Sequence, residues 1–481
     1  MALEKVVSEN DVKGEPLYQL IKKLQVVPTT KSLISASRIV SKYSELIPSK
    51  YNGDITKILS ELASSSIPQV RKELSLCLGT LLVENGVYEG TANACLKRLL
   101  KDNLDTVRVA ATEALGIRKH NKGYFANQIF PMVQSTLEYN SWKNRWVIAK
   151  RMGNLIASCD VKCYKVLIGY YFKLLLDPEI EVCCRALESL KDVAPGLEVD
   201  DFAKIALELQ KLCSNENSEI RKSLASEISS IFQFMPKESE GQVTGKTIIY
   251  QLFKDESSEV RASLFANIEP FMRTQNVQNA LNNTLPLIQD LLTDTNWQVR
   301  KTAIGLIESL MIDFPTEMNS QEKIFKAFGD CLSDKIACVR RICVLSIKKV
   351  SESLGAPWLV KTGLHLFAPY YSNTNYLYRL NYPMIMGEVG ALLTSPTMDA
   401  ELDKLSKLVK DPVANIRLHS VLALMKIFLA TSNKLISDRV KKAFDDLTSD
   451  SDSDIRLLCT KGQVATNWKS IVVEMGTINT K

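Results

Sequence analysis

DPVANIRLHSVLALMKI, residues 411–427, opens with an acid and a proline, places an arginine six residues after the acid, and continues as an apolar stripe. Asp411 is a residue type that favours the N-cap of a helix, and Pro412 suits the first helical position, where its missing N–H is not needed. Small and apolar residues at positions 416, 420 and 424 fall on one helical face. The stretch therefore predicts a capped amphipathic helix.

The same element recurs along the whole chain, as in KDNLDTVRVAATEAL around Arg108, TDTNWQVRKTAIGLI around Arg300 and SDKIACVRRICVLSI around Arg340. Twelve anchors follow when the basic residue, or the residue that replaces it, marks each copy. They lie 37 to 40 residues apart, a period that fits the helix pairs of HEAT-type repeats. The anchors are positions 31, 71, 108, 145, 183, 221, 261, 300, 340, 379, 417 and 456.

Each repeat is predicted to consist of helix A, a short turn ending in Asp, and helix B. One helix pair cannot bury its own apolar face, so neighbouring pairs must stack into an all-α solenoid. The arginine of one repeat is expected to reach the Asp of an adjacent repeat, giving a ladder of ion pairs. At the exposed limit each pair contributes about 0–1 kcal/mol, so the ladder is expected to set register more than stability. We expect the solenoid over residues 15–465, after an N-terminal segment 1–14 and before a C-terminal tail 466–481.

Composition excludes several other classes of protein. The chain has 481 residues, 46% hydrophobic and 24% charged, with a net charge of +6. Its N-terminus lacks the apolar core of a secretory signal, and no apolar run of transmembrane length stands out, so no membrane partner is expected. Eleven cysteines are scattered along the chain, and Cys159 and Cys163 are four residues apart, as metal ligands can be. The three histidines are all distant in sequence, which argues against a zinc site. We expect no catalytic residues, no metal and no cofactor, and the eleven cysteines are expected to be small buried residues.

Three large aromatic residues occupy the position three residues before the anchor: Trp142, Trp297 and Tyr376. This position lies in the first turn of helix B, outside the apolar stripe, and most repeats place a small or polar residue there. The rings could form a binding hot spot, or they could pack on the turn of the next repeat. The residues alone leave both interpretations open.

Several motifs resemble the scaffold (A, 65-kDa regulatory) subunit of protein phosphatase 2A, a HEAT-repeat family. NTNYLYRL, followed 38 residues later by DPVANIRLHSV, is similar to the last repeats of that family, and NSWKNRW, DTNWQVRKTAI and IKKVSESLGAPWL are similar to other parts. The resemblance covers nearly the whole chain, from about Leu17 to Cys459, and aligns its twelve repeats with the family's fourth to fifteenth. It implies a superhelical horseshoe that binds a Ser/Thr phosphatase catalytic subunit and a regulatory B subunit as a hetero-oligomer.

The resemblance also implies two sets of contact residues. It implies catalytic-subunit contacts at Trp297, Ile336, Tyr376, Arg379, Val413, Asn415 and Arg417, and regulatory-subunit contacts at Pro68, Arg71, Lys72, Asp102, Trp142 and Lys143. The chain departs from the family where Gln298 and Lys143 replace arginines and Ala337 replaces an aromatic residue. Lysine cannot form the bidentate fork of arginine. We therefore expect regulatory-subunit binding that is altered or restricted to fewer classes.

Two other functions are compatible with a HEAT solenoid. An importin-type nuclear transport carrier would bind cargo and a small GTPase, although such carriers tend to be longer and to carry acidic inserts. A nucleic-acid binder or base-excision enzyme would need a basic concave stripe, and its binding would weaken steeply with salt. The charge of +6 permits the latter without indicating it, and no nucleic-acid partner is expected. The scaffold reading implies a cytoplasmic protein, with the nucleus as a second compartment.

Overall fold

A computed structural model of the chain describes residues 14–26, 28–139, 141–274, 285–286, 288–318, 321–464 and 472. The described elements are all helices, and none of these residues lies in a strand. The chain divides into two compact units, Met1–Phe271 (unit 1) and Met272–Lys481 (unit 2). The predicted terminal segments fall almost wholly outside the described residues, which exclude 1–13, 465–471 and 473–481.

Every predicted anchor lies in a described helix, which is helix B of its repeat, and the repeats are numbered 1 to 12 in this order. The element Ala337–Trp358 holds helix B of repeat 9 and, after a kink at Gly355 where φ is 74°, the first residues of helix A of repeat 10. The B helices are Thr30–Tyr43, Pro68–Leu81, Asp105–Leu115, Trp142–Ala157, Ile180–Glu188, Ser218–Ile231, Ser258–Ala266, Trp297–Asp313, Ala337–Trp358, Tyr376–Arg379 with Asn381–Val389, Ala414–Thr431 and Ser453–Val464.

A second helix precedes each helix B, as predicted. In repeat 8 the described residues 285–286 and 288–292 are helical. The other A helices are Glu15–Val26, Asn52–Ala63, Glu89–Leu99, Lys122–Tyr124 continued by Phe125–Ile129 and Phe130–Thr136, Val161–Leu175, Val199–Cys213, Glu240–Leu252, Glu322–Asp330, Leu359–Gly363 with Leu364–Phe367, Thr397–Leu408 and Lys434–Leu447.

Within each unit the B helices pack on one another in sequence order, as a solenoid requires. In unit 1 the stack runs from repeat 1 to repeat 7, and in unit 2 it runs from repeat 8 to repeat 12. In Pro68–Leu81 the buried face consists of Val70, Leu74, Leu78 and Leu81, spaced by three or four residues. Full burial of each such side chain stabilises the fold by about 1.5–3 kcal/mol. The apolar stripe therefore holds neighbouring repeats together.

The predicted role of the turn acid needs correction. Helix B of repeat 11 begins at Ala414 with Val413 as its N-cap, so Asp411 and Pro412 both precede the helix. The Asp411 carboxylate accepts a hydrogen bond from the Val413 N–H at 2.8 Å, two residues on, which shapes the turn but does not cap the helix. The reason is position, because Asp411 lies two residues before the N-cap; the turn of repeat 6, whose preceding anchor is Cys183, makes the same kind of contact, from the Asn217 N–H to Asn215 at 2.9 Å. The predicted apolar face at 416, 420 and 424 is confirmed, since all three residues are fully buried.

One helix of the described residues, Ala414–Thr431, has the length and hydropathy of a membrane span, contrary to the expectation from sequence. Half of this helix is buried within the protein, and its length and hydropathy alone are weak evidence for a membrane span. The cysteines mostly behave as expected: nine of the eleven are buried, while Cys184 is half-buried and Cys338 is exposed. Burial raises the pKa of the Cys183 thiol to about 12, so it stays protonated at neutral pH.

Candidate protein-binding turns

Each A–B turn is organised by its acid and its arginine. In repeat 11 the Arg417 Nη1 donates to the backbone carbonyl of Asp411 at 2.9 Å, which closes the turn from inside. The arginines at 108, 221, 261, 300, 340, 379 and 456 make the same contact with the carbonyl six residues earlier, at 2.5–2.8 Å. The turn is therefore a fixed structure and not a flexible connection.

The predicted ladder between adjacent repeats is confirmed. In six pairs among the described residues, arginine Nε and the carboxylate of the next repeat lie 2.6–2.8 Å apart, and Nη2 donates to the second oxygen of the same carboxylate. The pairs are Arg71–Asp102, Arg145–Asp177, Arg221–Asp255, Arg300–Asp334, Arg379–Asp411 and Arg417–Asp450.

The ladder is more deeply buried than the sequence suggested. The arginine side chains are 7–19% exposed and the carboxylates 5–10% exposed. Removing one partner would leave a mostly buried charge, which costs about 3–5 kcal/mol and not the 0–1 kcal/mol of an exposed pair. Burial alone would raise the pKa of Asp334, yet hydrogen bonds from Arg300 and from the Ile336 N–H hold it below its ordinary value. Each pair, once formed, is therefore costly to break, and the ladder holds register more firmly than exposed pairs would.

In unit 2 these turns present aromatic side chains to solvent. Trp297 and Tyr376 are each the first residue of a helix B, and their side chains are 36% and 45% exposed. In both cases an asparagine N-cap, Asn296 or Asn375, accepts a hydrogen bond from the backbone N–H two residues on. The cap fixes where the helix starts, and therefore where the ring projects.

Two further predicted residues of unit 2 lie at the same turns. Ile336 is the N-cap of its helix and is 37% exposed, while Val413 is a half-buried N-cap. Asn415 is exposed, and its carbonyl lies 2.9 Å from Nδ1 of His419, whose pKa is lowered by burial. Leu377, which the sequence reasoning missed, is 37% exposed beside Tyr376. We refer to Trp297, Ile336, Tyr376, Leu377, Val413 and Asn415 as the unit 2 turn surface.

Unit 1 has a smaller surface of the same kind. Trp142 begins helix B of repeat 4 and is 40% exposed, with the Lys143 ammonium 5.8 Å from the ring centroid. The preceding N-cap, Ser141, donates a hydrogen bond to Asp105 of repeat 3 at 3.0 Å, which ties the two turns together. Exposed Leu104 and Ile180, four and three residues before their anchors, extend this surface and were missed. The only sequence signal for them was an apolar residue at these positions, which also fits a buried pattern.

The remaining predicted contact residues divide into two groups. Arg71, Asp102, Arg379 and Arg417 belong to the ladder, so most of their polar atoms are used within the protein. Their direct contact with a partner stays a prediction, and the structure gives them a role in positioning the turns. Pro68 is the first residue of its helix and half-buried, while Lys72 is exposed.

A protein-family model matches part of the chain. Residues 260–365 match the family model of non-SMC mitotic condensation complex subunit 1 (Cnd1), well under half of the chain. No curated protein sequence matches the chain.

Solved structures match over nearly the full length. Kap121p superimposes with a TM-score of 0.57 at 12% identity, covering 93% of this chain and 44% of Kap121p. Kap95p in its complex with RanGDP gives 0.56 at 12% identity, covering 98% of this chain and 71% of the other. Kap121p bound to the SUMO protease Ulp1p gives 0.55 at 10% identity, covering 94% and 50%. The chain is a HEAT-repeat solenoid.

These matches support a coarser assignment than the sequence resemblance implied. Identities of 10–13% show the fold alone, and this HEAT-repeat chain spans only about half of the Kap121p structures it matches. The proteins matched here are karyopherins and a condensin subunit, so they support a HEAT-repeat protein without supporting the phosphatase scaffold in particular. In these structures Kap121p is bound to the SUMO protease Ulp1p and Kap95p is in a complex with RanGDP.

Proposed function

We propose that this chain is a non-catalytic scaffold, which holds a Ser/Thr phosphatase catalytic subunit on the unit 2 turn surface and a regulatory subunit on the turns of unit 1. The observation that carries the proposal is the presence of Trp297, Ile336 and Tyr376 at successive turns, each more than a third exposed. Large apolar side chains held in water at fixed positions are typical of binding hot spots.

The geometry of the turns supports this role. Trp297, Ile336 and Tyr376 project from helix starts that are fixed by asparagine caps, turn acids and arginines. Little conformational entropy is lost when a rigid surface of this kind is covered, because the side chains are already ordered. Binding two partners to one such frame raises their effective concentration for each other, which is how a scaffold acts without chemistry of its own.

The identity of the proposed partner rests on sequence motifs. NYLYR around Tyr376 and DPVANIR around Val413 are similar to the catalytic-subunit-binding repeats of the phosphatase scaffold family. In unit 1, Trp142 is kept but Lys143 replaces an arginine, and its ammonium lies beside the Trp142 ring. Lysine presents a single point charge, whereas the arginine of the family can form two parallel hydrogen bonds. We therefore propose that this chain binds fewer classes of regulatory subunit.

The test is direct binding of the full chain to a purified phosphatase catalytic subunit. Tyr376→Ala and Trp297→Ala should each weaken binding by about 30-fold or more, as truncation of a hot-spot aromatic costs at least about 2 kcal/mol. Leu435→Ala is the matched control, because Leu435 is apolar and 66% exposed but lies at the start of a helix A. Equal effects of all three substitutions, or no binding by the unaltered chain, would reject the proposal.

A second candidate function is that of a nuclear transport carrier. The similarity to Kap121p and to Kap95p with RanGDP over more than 90% of this chain favours it, although at 12% identity this is a likeness of fold. A carrier should bind a Ran-type GTPase, and binding should depend on the nucleotide. Tight GTP-dependent binding together with absence of phosphatase binding would select this function.

Localisation separates the two candidates less sharply. The matched karyopherins and condensin subunit favour a protein that works in the nucleus, whereas the scaffold reading implies both cytoplasm and nucleus. Imaging of the tagged full chain would place it. Nucleic-acid binding is the weakest alternative, and a steep fall in affinity with salt would be its signature.

A further inference from the structure

The ladder of ion pairs is interrupted between repeats 9 and 10. Arg340 is the anchor of repeat 9, but Asn373 occupies the position of the turn acid in repeat 10, six residues before Arg379. Arg340 Nη1 donates to the backbone carbonyls of Asp334 at 2.7 Å and of Lys335 at 3.3 Å, which closes the turn as in the other repeats. Its Nε and Nη2 make no hydrogen bond with the residues that the structure describes. We refer to these two nitrogens as the Arg340 fork.

Asn373 cannot act as the acceptor for this fork. Its Oδ1 accepts a hydrogen bond from the Asn375 N–H at 2.9 Å, the contact that Asp334 and Asp411 make in their own turns at 2.8 Å. The second polar atom of the asparagine side chain is Nδ2, a donor, whereas aspartate has a second acceptor oxygen in that place. A donor cannot accept a hydrogen bond from arginine, so the Arg340 fork stays available.

The geometry of the fork suits a carboxylate. One edge of the guanidinium is fixed by the two backbone carbonyls, so little freedom is lost when the other edge binds a ligand. In the six described ladder pairs, the same edge of the arginine holds both oxygens of a carboxylate, with Nε–oxygen distances of 2.6–2.8 Å. Neither nitrogen of the Arg340 fork is buried, so a ligand can reach both. Arginine binds a planar carboxylate there through two parallel hydrogen bonds.

The fork belongs to the unit 2 turn surface. Ile336, which is 37% exposed, lies four residues before Arg340 in the turn of repeat 9. Tyr376, which is 45% exposed, lies three residues after Asn373 in the turn of repeat 10. The fork is therefore at the junction between two turns that both present large apolar side chains. A partner that covers Ile336 and Tyr376 together also covers this junction.

Charge at the junction favours an acidic partner group. Lys335 and Arg341 are exposed on either side of the fork in sequence, and residues 372–377 of the next turn contain no acid. The acid of the repeat 9 turn, Asp334, is already paired with Arg300. A guanidinium that is covered without an acceptor loses its hydrogen bonds to water, which is costly. Complementarity therefore requires an acceptor of negative charge in the partner.

We propose that the Arg340 fork binds an aspartate or glutamate side chain of the protein that occupies the unit 2 turn surface. The partner's carboxylate takes the place that a turn acid fills in the six ladder pairs, and so completes the ladder from a second protein. The identity of that protein, a phosphatase catalytic subunit, rests on the proposed function. The fork itself is a property of this chain.

The first test asks whether the fork accepts a carboxylate, and it needs no partner. Asn373→Asp supplies the missing acid from within the chain, and a crystal structure of this variant should show the new carboxylate on Arg340 Nε and Nη2, with the Nε–oxygen distance of 2.6–2.8 Å found in the ladder pairs. Asn375→Asp is the control and should leave the fork unoccupied. At the same cap position of repeat 12, Asp452 makes no ion pair with Arg417 in the described structure. A carboxylate of Asn373→Asp turned away from the fork would overturn the proposal.

The second test measures binding of the purified phosphatase catalytic subunit to the full chain by calorimetry. Arg340→Gln should weaken binding about tenfold or more, because hydrogen bonds between opposite charges are lost. Asn373→Asp should weaken binding about as much, although Arg340 is unchanged, because the fork is then occupied from within the chain. Arg341→Gln and Asn375→Asp are the matched controls, since each makes the same change of charge beside the fork, and each should weaken binding less than about threefold.

A third variant separates the fork from its charge. Arg340→Lys keeps the charge but cannot form two parallel hydrogen bonds, so it should recover only part of the affinity lost in Arg340→Gln. Thermal unfolding followed by circular dichroism checks that each variant is folded.

The outcomes distinguish this inference from the proposed function. Binding that is unchanged in both Arg340→Gln and Asn373→Asp, or weakened equally by the two controls, would overturn the inference and leave the proposed function standing. Absence of binding by the unaltered chain would reject the proposed function together with the partner named here. The structure of Asn373→Asp would still decide whether the fork accepts a carboxylate.

Discussion

Removal of the Asp334 carboxylate is the sharpest test of how the repeats are held together. This carboxylate accepts hydrogen bonds from Arg300 Nε at 2.6 Å, from Arg300 Nη2 at 2.9 Å and from the Ile336 N–H at 2.8 Å. The Arg300 and Asp334 side chains are only 7% and 10% exposed. Asp334→Ala therefore removes three hydrogen bonds and leaves a guanidinium with little access to water.

The expected cost follows from that burial. Breaking a buried ion pair by deleting one partner destabilises by about 3–5 kcal/mol, and the lower end applies because Arg300 keeps its hydrogen bond to the Asp294 carbonyl. A loss of about 3 kcal/mol corresponds to roughly a hundredfold increase in the population of locally open states. The double variant Arg300→Met/Asp334→Ala should be less destabilised than the single variant, because no buried charge is left unpaired.

Native-state hydrogen exchange of the full chain is the suitable assay, because a repeat array need not unfold in one step. Peptides from repeats 8 and 9 should lose protection, and those of unit 1 should not. Asp313→Ala is the control, since its pair with Arg273 is more exposed, at 26% and 56%, and should cost less than about 1 kcal/mol. If Asp334→Ala were no more destabilising than Asp313→Ala, the buried ladder pair would be no harder to break than an exposed ion pair and the reasoning would be wrong.

Three further outcomes are expected. The Arg417 hydrogen bond holds the pKa of Asp450 below its ordinary value. This pair therefore stabilises the fold above the pKa of an unfolded aspartate, about 3.9, and its contribution is lost as the pH falls through the lower folded pKa. In thermal denaturation from neutral pH to about pH 3, Asp450→Asn should show a smaller loss of stability on acidification than the unaltered chain. Gly153→Ala should destabilise by about 1–3 kcal/mol, because the added Cβ would lie 2.5 Å from the Cβ and 2.7 Å from the carbonyl oxygen of Asp192 in the adjacent helix. Gly169→Ala should instead stabilise by about 0.5–1 kcal/mol, because this helical position has open space around it. Urea denaturation of the two variants measures both changes. In the same assay, Trp142→Ala should destabilise by less than the about 3–5 kcal/mol typical of a fully buried tryptophan, because 40% of the residue is exposed.

The repeat architecture could be predicted from sequence because its signal is local and recurs twelve times. The spacing of acid, arginine and apolar stripe located every helix B, and the reach of an arginine side chain predicted the ladder. The cap assignment of Asp411 failed because the sequence pattern does not fix the first residue of the helix, which begins three residues later, at Ala414. The division after Phe271 was not predicted either, because the anchor spacing continues unchanged across it.

The candidate surface was only partly predictable for a related reason. Aromatic residues outside the stripe stand out in sequence, whereas Leu104 and Ile180 look like ordinary members of an apolar pattern until exposure is known.

The ion-pair ladder and the exposed side chains of the unit 2 turn surface share the same turns. The Arg300–Asp334 pair joins the turn that presents Trp297 to the turn that presents Ile336. The distance between neighbouring exposed side chains is therefore set by bidentate charge-assisted hydrogen bonds, which fix geometry more closely than single contacts do. A partner that covers several turns at once depends on that spacing, because each misplaced side chain reduces the complementarity of all the others. In the proposed complex, the low exposure of the ladder, 7% for Arg300 and 10% for Asp334, would keep the charges that hold this spacing away from the partner and from water.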